Sequence, residues 1–119
     1  MSVQFRSHQG VEILYIDYSN AKSQPEMINI LLEAEQIYLK SSSKIRSLSN
    51  MTGVFIGLDL ANEMKRMAPG VFREKGLKSA IIGIDDLKAI LIKSFNSMHP
   101  YSQLEICADE KEALAYLIG

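Results

Sequence analysis

The sequence has a single cysteine, Cys107, among its 119 residues. One cysteine excludes a disulfide within the chain and supplies too few ligands for a structural zinc site. It suits a reducing compartment, so we expect a cytoplasmic protein. The first residues are polar, and no apolar run approaches the roughly 20 residues that cross a bilayer. We therefore expect neither a secretory leader nor a transmembrane segment.

The sequence also lacks an excess of charge of either sign, since 13 basic and 14 acidic residues give a formal net charge of -1. Proteins that bind nucleic acids usually carry a strong basic excess, so we expect no nucleic-acid partner. Hydrophobic residues make up 47% of the chain, which is enough to build a core. The length suits one domain, and we interpret residues 1–119 as a single domain.

Sequence motifs that carry enzymatic chemistry are missing too. There is no P-loop, no dinucleotide-binding glycine motif, and no zinc-protease or serine-hydrolase signature. His8 and His99 have no acid or nucleophile beside them in a motif, and helix capping accounts for Asp85 and Asp86. The sequence thus predicts a protein that is not an enzyme, with no catalytic residue, no cofactor and no metal site.

What the sequence does contain is an alternation of strand-like and helix-like segments. Strands are indicated by runs of β-branched and aromatic residues, and a turn at Gln9-Gly10 joins the first two into a hairpin. The first strand is the more polar of the pair, so we expect it at the edge of a sheet. The predicted strands are Val3–Ser7, Val11–Tyr18, Lys44–Met51, Leu77–Ile84 and Gln103–Cys107.

Four segments have helical periodicity. Ser23-Gln24-Pro25-Glu26 and Asp109-Glu110-Lys111-Glu112 are capping boxes that begin the first and last helices, and Asp85 or Asp86 caps the third. The stripes that we expect to face the core are Met27, Leu31, Ala34 and Tyr38, then Leu60, Ala61, Met64, Met67 and Ala68, then Leu87, Ile90, Leu91 and Phe95, and finally Ala113, Leu114 and Leu117.

The resulting order, ββαβαβαβα, predicts an α/β fold. Strand–helix–strand crossovers make the later strands parallel, and the N-terminal hairpin adds an antiparallel edge to a mixed, mostly parallel sheet with flanking helices. The predicted core includes Ile13, Tyr15, Leu31, Ala34, Ile81, Ile84, Leu91 and Leu114.

Four short motifs carry a resemblance to a known family. They are the strand Ile13–Ser19, the junction Asn50-Met51-Thr52-Gly53, the segment Lys78–Ile84 followed by Leu87-Lys88, and the terminal helix Asp109–Leu117. In these motifs and in the order of its elements the chain resembles the SpoIIAA-like family, small bacterial proteins of the STAS and SEC14 type. The resemblance covers nearly the whole chain and implies a STAS-like sheet flanked by helices, similar also to the lipid-binding fold of SEC14 proteins.

The resemblance further implies a regulatory loop. In the anti-sigma-factor antagonists that define STAS domains, the loop between a strand and a helix carries an aspartate, two serines and a glycine. A partner kinase phosphorylates one of those serines. Asn50 stands here in the place of the aspartate, Met51 of one serine, Thr52 of the phosphoacceptor and Gly53 of the glycine. Thr52 is therefore the candidate phosphoacceptor, and the run Val54–Gly57 is expected to delay the following helix by about a turn.

The candidate partner or ligand surface is this loop. Thr52 and Asn50 could serve only to bond loose backbone groups of a turn, which is the alternative to a switch. The apolar run Val54-Phe55-Ile56 would bind a partner or border a lipid pocket if it is exposed, and would pin the loop to the core if it is buried. The surface comprises Asn50, Thr52, Gly53, Val54, Phe55, Ile56 and Gly57.

Three functions remain open on the sequence alone. The first is a non-enzymatic STAS-like regulatory module that acts through a protein partner under a switch at Thr52. The second is binding of an apolar ligand, such as a lipid, in a SEC14-like pocket under the Val54–Leu58 loop and the second helix. The third is a homo-oligomeric scaffold. A basic segment is open to two readings, contact with anionic lipid or a solvated surface, and consists of Lys65, Arg66, Arg73, Lys75 and Lys78.

Overall fold

The computed structural model describes residues 2–101 and 103–119. Its centre is a five-stranded sheet whose strands lie side by side in chain order. The first pair is antiparallel and the other three pairs are parallel, so the predicted mixed sheet with an antiparallel N-terminal edge is confirmed. The strands are β1 (Val3–His8), β2 (Val11–Asp17), β3 (Ile45–Asn50), β4 (Gly76–Ile82) and β5 (Glu105–Ile106).

Five helices flank the sheet within the described residues, namely α1 (Gln24–Lys40), α2 (Leu58–Met67), α3 (Arg73–Lys75), α4 (Asp86–Met98) and α5 (Glu110–Ile118). Three begin at the predicted caps, where the side chains of Ser23, Asp85 and Asp109 each accept a backbone N–H three residues later. The chain leaves α2 through a π-helical turn, Ala68–Phe72, which leads into the single turn α3. Sequence periodicity did not indicate that turn.

The sheet is covered on both faces. Because β2 to β5 follow one another in space, right-handed crossovers place α1, α2 and α4 on the same face. The last helix, α5, covers the opposite face with Ala113, Leu114 and Leu117. Alternate residues of β2 accordingly enter different apolar layers, Leu14 beneath the crossover helices and Ile13 beneath α5.

β5 is shorter than the predicted strand Gln103–Cys107 because Asn96 of α4 occupies both backbone groups of Leu104. The Asn96 Oδ1 atom accepts the Leu104 N–H at 2.8 Å, and Asn96 Nδ2 donates to the Leu104 carbonyl at 2.9 Å. Neither group of Leu104 is then available to β4, so pairing with β4 starts at Glu105.

The prediction for α4 is wrong in its orientation. Periodicity predicts Leu91 in the core, but it is 44% exposed, and Leu87 and Ile90 of the same predicted stripe are 74% and 65% exposed. Phe95 of the predicted stripe is buried, and Lys88 and Ile92 face the core in place of Leu87, Ile90 and Leu91. Lys88 sets this orientation because its ammonium group bonds to backbone carbonyls inside the molecule. Of the other predicted core residues, Ile13, Leu31, Ala34, Ile81 and Leu114 are buried, and Tyr15 and Ile84 are partly buried.

Candidate functional site

The candidate site lies at the carboxyl ends of the parallel strands, in the segment 51–57 between β3 and α2 (hereafter the β3–α2 loop). Ligands of parallel α/β sheets usually bind outside these strand ends. The neighbouring strand β4 ends beside the loop, in the turn that leads to α4. The loop that the sequence singled out therefore occupies the edge of the sheet at which a binding site is expected.

Asn50 and Thr52 form a tight turn at the start of this loop. The Asn50 Oδ1 atom accepts the Thr52 backbone N–H at 3.0 Å and the Thr52 hydroxyl at 2.6 Å. This is the turn chemistry that the sequence offered as the alternative to a switch. Thr52 is nevertheless an exposed residue. Because α2 begins only at Leu58, Thr52 lies outside its first turn, as the run Val54–Gly57 predicted.

Gly83 approaches this turn from β4. A β-carbon on Gly83 would lie 2.3 Å from the Thr52 backbone nitrogen, and the φ angle of Gly83 is +78°. Both the contact and the backbone conformation therefore require glycine. The sequence analysis assigned no role to Gly83, although an isolated glycine at the end of a buried strand is a signal of close backbone approach.

Lys88 holds the loop from the side of α4. Its Nζ atom donates to the Met51 carbonyl at 2.9 Å and to the Val54 carbonyl at 3.0 Å. The residue is only 7% exposed, and it forms no ion pair within residues 2–101 and 103–119. A buried ammonium group is costly unless it is hydrogen-bonded, so these two carbonyls compensate its burial. Sequence reasoning missed Lys88, and the available signal was a lysine between Leu87 and the apolar run 89–92.

Gln24 holds the same loop from the side of α1. Its Nε2 atom donates to the Phe55 carbonyl at 2.8 Å, and its Oε1 atom accepts the Gly57 N–H at 2.9 Å. A β-carbon on Gly57 would lie 2.6 Å from Gln24 Oε1, so glycine permits this contact. Two long-range clamps therefore fix the β3–α2 loop.

The apolar run Val54-Phe55-Ile56 is partly buried and partly exposed. Ile56 is 5% exposed and packs in the core, whereas Phe55 is 68% exposed. Val54 is half-buried against the core. The loop is thus anchored by one apolar side chain and presents another to solvent.

An apolar groove of about 270 Å³ runs between α2 and α4 beside this loop. It lies where the sequence analysis expected a pocket for an apolar ligand, under the loop and the second helix. Lys65 is its single charged lining residue. We refer to it as the α2–α4 groove, and it is lined by Ile56, Gly57, Leu58, Ala61, Met64, Lys65, Leu91, Ile92, Ser94 and Phe95.

Large apolar side chains continue from the groove onto the surface. On α4, Leu87, Leu91 and Met98 follow a helical repeat and share one stripe, with Ile90 beside it. The apolar surface of the helix therefore extends beyond its buried face. We call these residues the outer face of α4, with exposures of 74% for Leu87, 65% for Ile90, 44% for Leu91 and 60% for Met98.

The basic segment does not form one cationic patch. Arg66 pairs with Glu35 at 3.1 Å and Glu63 at 2.8 Å, and these hydrogen bonds raise the pKa of the Arg66 guanidinium. Three other members of the segment also have partners inside the molecule: Lys75 bonds to the Ser41 carbonyl, Lys78 to the carbonyls of Tyr116 and Gly119, and Arg73 lies over the Tyr101 ring. Lys65 is the only member with no such contact among the described residues.

Cys107 follows β5 at these strand ends. Cys107 is 4% exposed, and burial, followed by the negative charge of Glu112, raises the pKa of its thiol. The protonated thiol is a weak nucleophile. In the part of the chain that the structure describes, no group of three or more histidine, cysteine or acidic residues could hold a metal ion, and no helix is long and apolar enough to cross a membrane.

Comparison with known proteins identifies the fold. No family model matches the sequence, and no curated protein matches it. The structure is similar to the crystal structure of an uncharacterized protein of the DUF3478 family with a SpoIIAA-like fold from Shewanella loihica PV-4. The TM-score is 0.73 at 16% sequence identity, covering 97% of this chain and 91% of that one. The chain therefore has a SpoIIAA-like fold, as the sequence resemblance implied.

Proposed function

We propose that this chain is a non-enzymatic binding module that uses its SpoIIAA-like fold to dock a protein partner. The observation that carries the proposal is the outer face of α4, where four large apolar side chains are 44–74% exposed beside the α2–α4 groove. Contiguous exposed apolar surface is typical of protein interfaces. The lone thiol of Cys107 suits the reducing cytoplasm, where we propose that the module acts.

A protein partner accounts for this surface better than a small ligand does. Pockets that enclose small molecules usually have volumes of about 300–1,000 Å³, and the groove of about 270 Å³ lies just below that range. A ligand inside the groove would also leave Leu87, Ile90 and Met98 in water, because none of them lines it. A protein surface can fill the groove and cover the outer face of α4 together.

We further propose Thr52 as the control point of this interaction. Phosphorylation adds about -1.5 to -2 charges at the Thr52 oxygen, which lies 2.6 Å from the Asn50 Oδ1 atom, so that a charged acceptor would face another acceptor and repel it. The β3–α2 loop then has to rearrange at its start, while the same loop carries Phe55 and delivers Ile56 to the groove. A change at Thr52 would in this way alter the positions of apolar side chains at the docking surface.

Affinity capture with surface variants tests the proposal. Tagged protein is compared with Leu91→Asp, which charges the groove wall, and with the control Ser43→Asp, an exposed residue before β3, at the opposite ends of the strands. We expect a specific partner to bind the wild type and Ser43→Asp and to be lost from Leu91→Asp at an unchanged unfolding midpoint. Equal capture by all three proteins would show that the outer face of α4 is not the docking surface.

The groove itself favours a second candidate, an apolar ligand such as a lipid. Its lining is apolar apart from Lys65 and Ser94, and its position matches the sequence-based hypothesis. Native mass spectrometry of freshly purified protein tests this directly. A retained small molecule that is reduced in Phe55→Ala would support the ligand. Whole multiples of the chain mass would instead support the homo-oligomeric scaffold.

A further inference from the structure

Building on this proposed function, we infer that the partner docks as an amphipathic α-helix whose apolar stripe is flanked by acidic residues. The inference rests on the concave shape of the α2–α4 groove and on two lysines beside the apolar surface that have no acidic partner among the described residues. It specifies the chemistry of the partner, which the proposed function leaves open.

The shape of the groove favours a helix. Its walls come from two helices, with Leu58 on the side of α2 and Leu91 on the side of α4, and the buried side chains of Ile92 and Phe95 lie at its base. A helix that docks in such a groove inserts apolar anchors spaced three or four residues apart. A flat lipid surface would leave the concave part of the groove unfilled.

Lys65 supplies the first charge. The residues one turn before it on α2, Ala61 and Asn62, are not acidic, and the nearby carboxylates of Glu35 and Glu63 are bonded to Arg66. Lys65 has no hydrogen bond or ion pair among the described residues. A lysine at the wall of an apolar groove thus retains its full capacity to pair with a carboxylate from a partner.

Lys93 supplies the second charge, on the other side of the apolar stripe. It is exposed on α4, three residues after Ile90, and the residues one turn away from it are Ala89, Ile90, Asn96 and Ser97. Lys65 at the groove wall and Lys93 beside Ile90 are therefore available to carboxylates of a partner, and the exposed Asp86 lies two turns before Lys93 on the same side of α4. The acidic pair Asp85-Asp86 lies at the N-terminal end of α4, where Asp85 is engaged as the cap. Charge complementarity selects a helix with acidic flanks along the rest of the groove.

Two synthetic helical peptides test the inference. Both carry the same leucine stripe at i, i+3, i+4 and i+7, and they differ only in having glutamate or lysine on the flanks. We expect the glutamate peptide to bind about tenfold more tightly at low salt, with NMR shift changes at Leu58, Lys65 and Leu91. The preference should shrink at high salt, because exposed charge pairs are screened.

Charge-reversal variants show whether the lysines cause the preference. Lys65→Glu combined with Lys93→Glu should favour the lysine peptide, whereas the control Lys44→Glu, at the opposite end of β3, should behave as wild type. All three residues are exposed, so the fold should be preserved.

The outcomes separate this inference from the proposed function. Equal binding of both peptides would overturn the acidic helix and leave the apolar docking surface in place. Binding of neither peptide, together with equal capture by wild type and Leu91→Asp, would overturn both. Binding to vesicles of anionic phospholipid without peptide binding, or dimers that Leu91→Asp dissociates, would also overturn the inference in favour of a membrane or a second copy.

Discussion

Gly83 and Thr52 are in such close contact that a β-carbon on Gly83 would overlap the backbone nitrogen of Thr52, at 2.3 Å. Gly53 offers a matched comparison, because its φ of +73° is similar but a β-carbon there would have no atom within 4 Å. We expect Gly53→Ala to lose about 1–2 kcal/mol of stability through the backbone alone. Gly83→Ala should lose about 1–3 kcal/mol more through overpacking, as measured by urea denaturation. Equal losses would mean that the Thr52 turn moves aside freely.

Lys88→Met tests the clamp on the β3–α2 loop. Removal of the ammonium group leaves the Met51 carbonyl with only the 3.4 Å bond from the Val54 N–H and takes the lysine donor from the Val54 carbonyl, so the free energy of unfolding should fall by about 1–3 kcal/mol. Amide hydrogen exchange should accelerate in the segment 52–57. Lys93→Met on the solvent side of α4 is the control and should stay within about 0.5 kcal/mol of wild type. Unchanged exchange in Lys88→Met would argue against the clamp.

The orientation of α4 is tested by alanine substitutions on its two apolar faces. Ile92 is 2% exposed and Leu87 is 74% exposed. Ile92→Ala should therefore cost about 2–5 kcal/mol, and Leu87→Ala less than about 0.5 kcal/mol. Thermal or chemical unfolding measures both. The reverse ranking would restore the stripe that periodicity alone predicted.

Substitutions at Thr52 test the proposed control point. Thr52→Glu adds charge and removes the hydroxyl that bonds to Asn50, whereas Thr52→Val removes that hydroxyl without adding charge. We expect Thr52→Glu to change partner binding and Thr52→Val to leave it close to wild type or shift it in the opposite sense. Phe55→Ala should weaken binding irrespective of charge, because Phe55 is an exposed apolar residue of the same loop. Wild-type binding by all three variants would remove the loop from the site.

The burial of Tyr18 should make the folded state less stable at alkaline pH. Burial, followed by the proximity of Tyr38, raises the pKa of Tyr18 above its ordinary value of 10.0. Because the pKa of Tyr18 is raised in the folded state, the stability that comes from its neutral hydroxyl is fully present below pH 10.0. That stability is lost as the pH rises above this value. Tyr18→Phe should therefore show a weaker decline of unfolding free energy above pH 10.0. Tyr101→Phe, which alters a 72% exposed side chain, should decline as the wild type does.

The features that the sequence predicted well are those set by near neighbours in the chain. The caps at Ser23, Asp85 and Asp109 depend on residues three positions away, and the hairpin depends on Gln9-Gly10. The clamps on the β3–α2 loop were missed because Lys88 and Gln24 reach acceptors more than 30 positions away. Periodicity also did not orient α4, since its apolar residues at 87, 91, 92, 95 and 98 form an arc wider than the part of the helix that is buried.

The buried ammonium group of Lys88 favours a single rotation of α4 in the native state. α4 has two apolar stripes, so a rotation of roughly 100°, one residue along the helix, would exchange them with little change in buried apolar surface. Only one of these rotations brings the ammonium group to the carbonyls of Met51 and Val54. A Lys88→Leu protein would accordingly be more hydrophobic, but it would populate two rotations of α4 with similar energy instead of one. One lysine thus selects the face that builds the core and leaves the other face exposed.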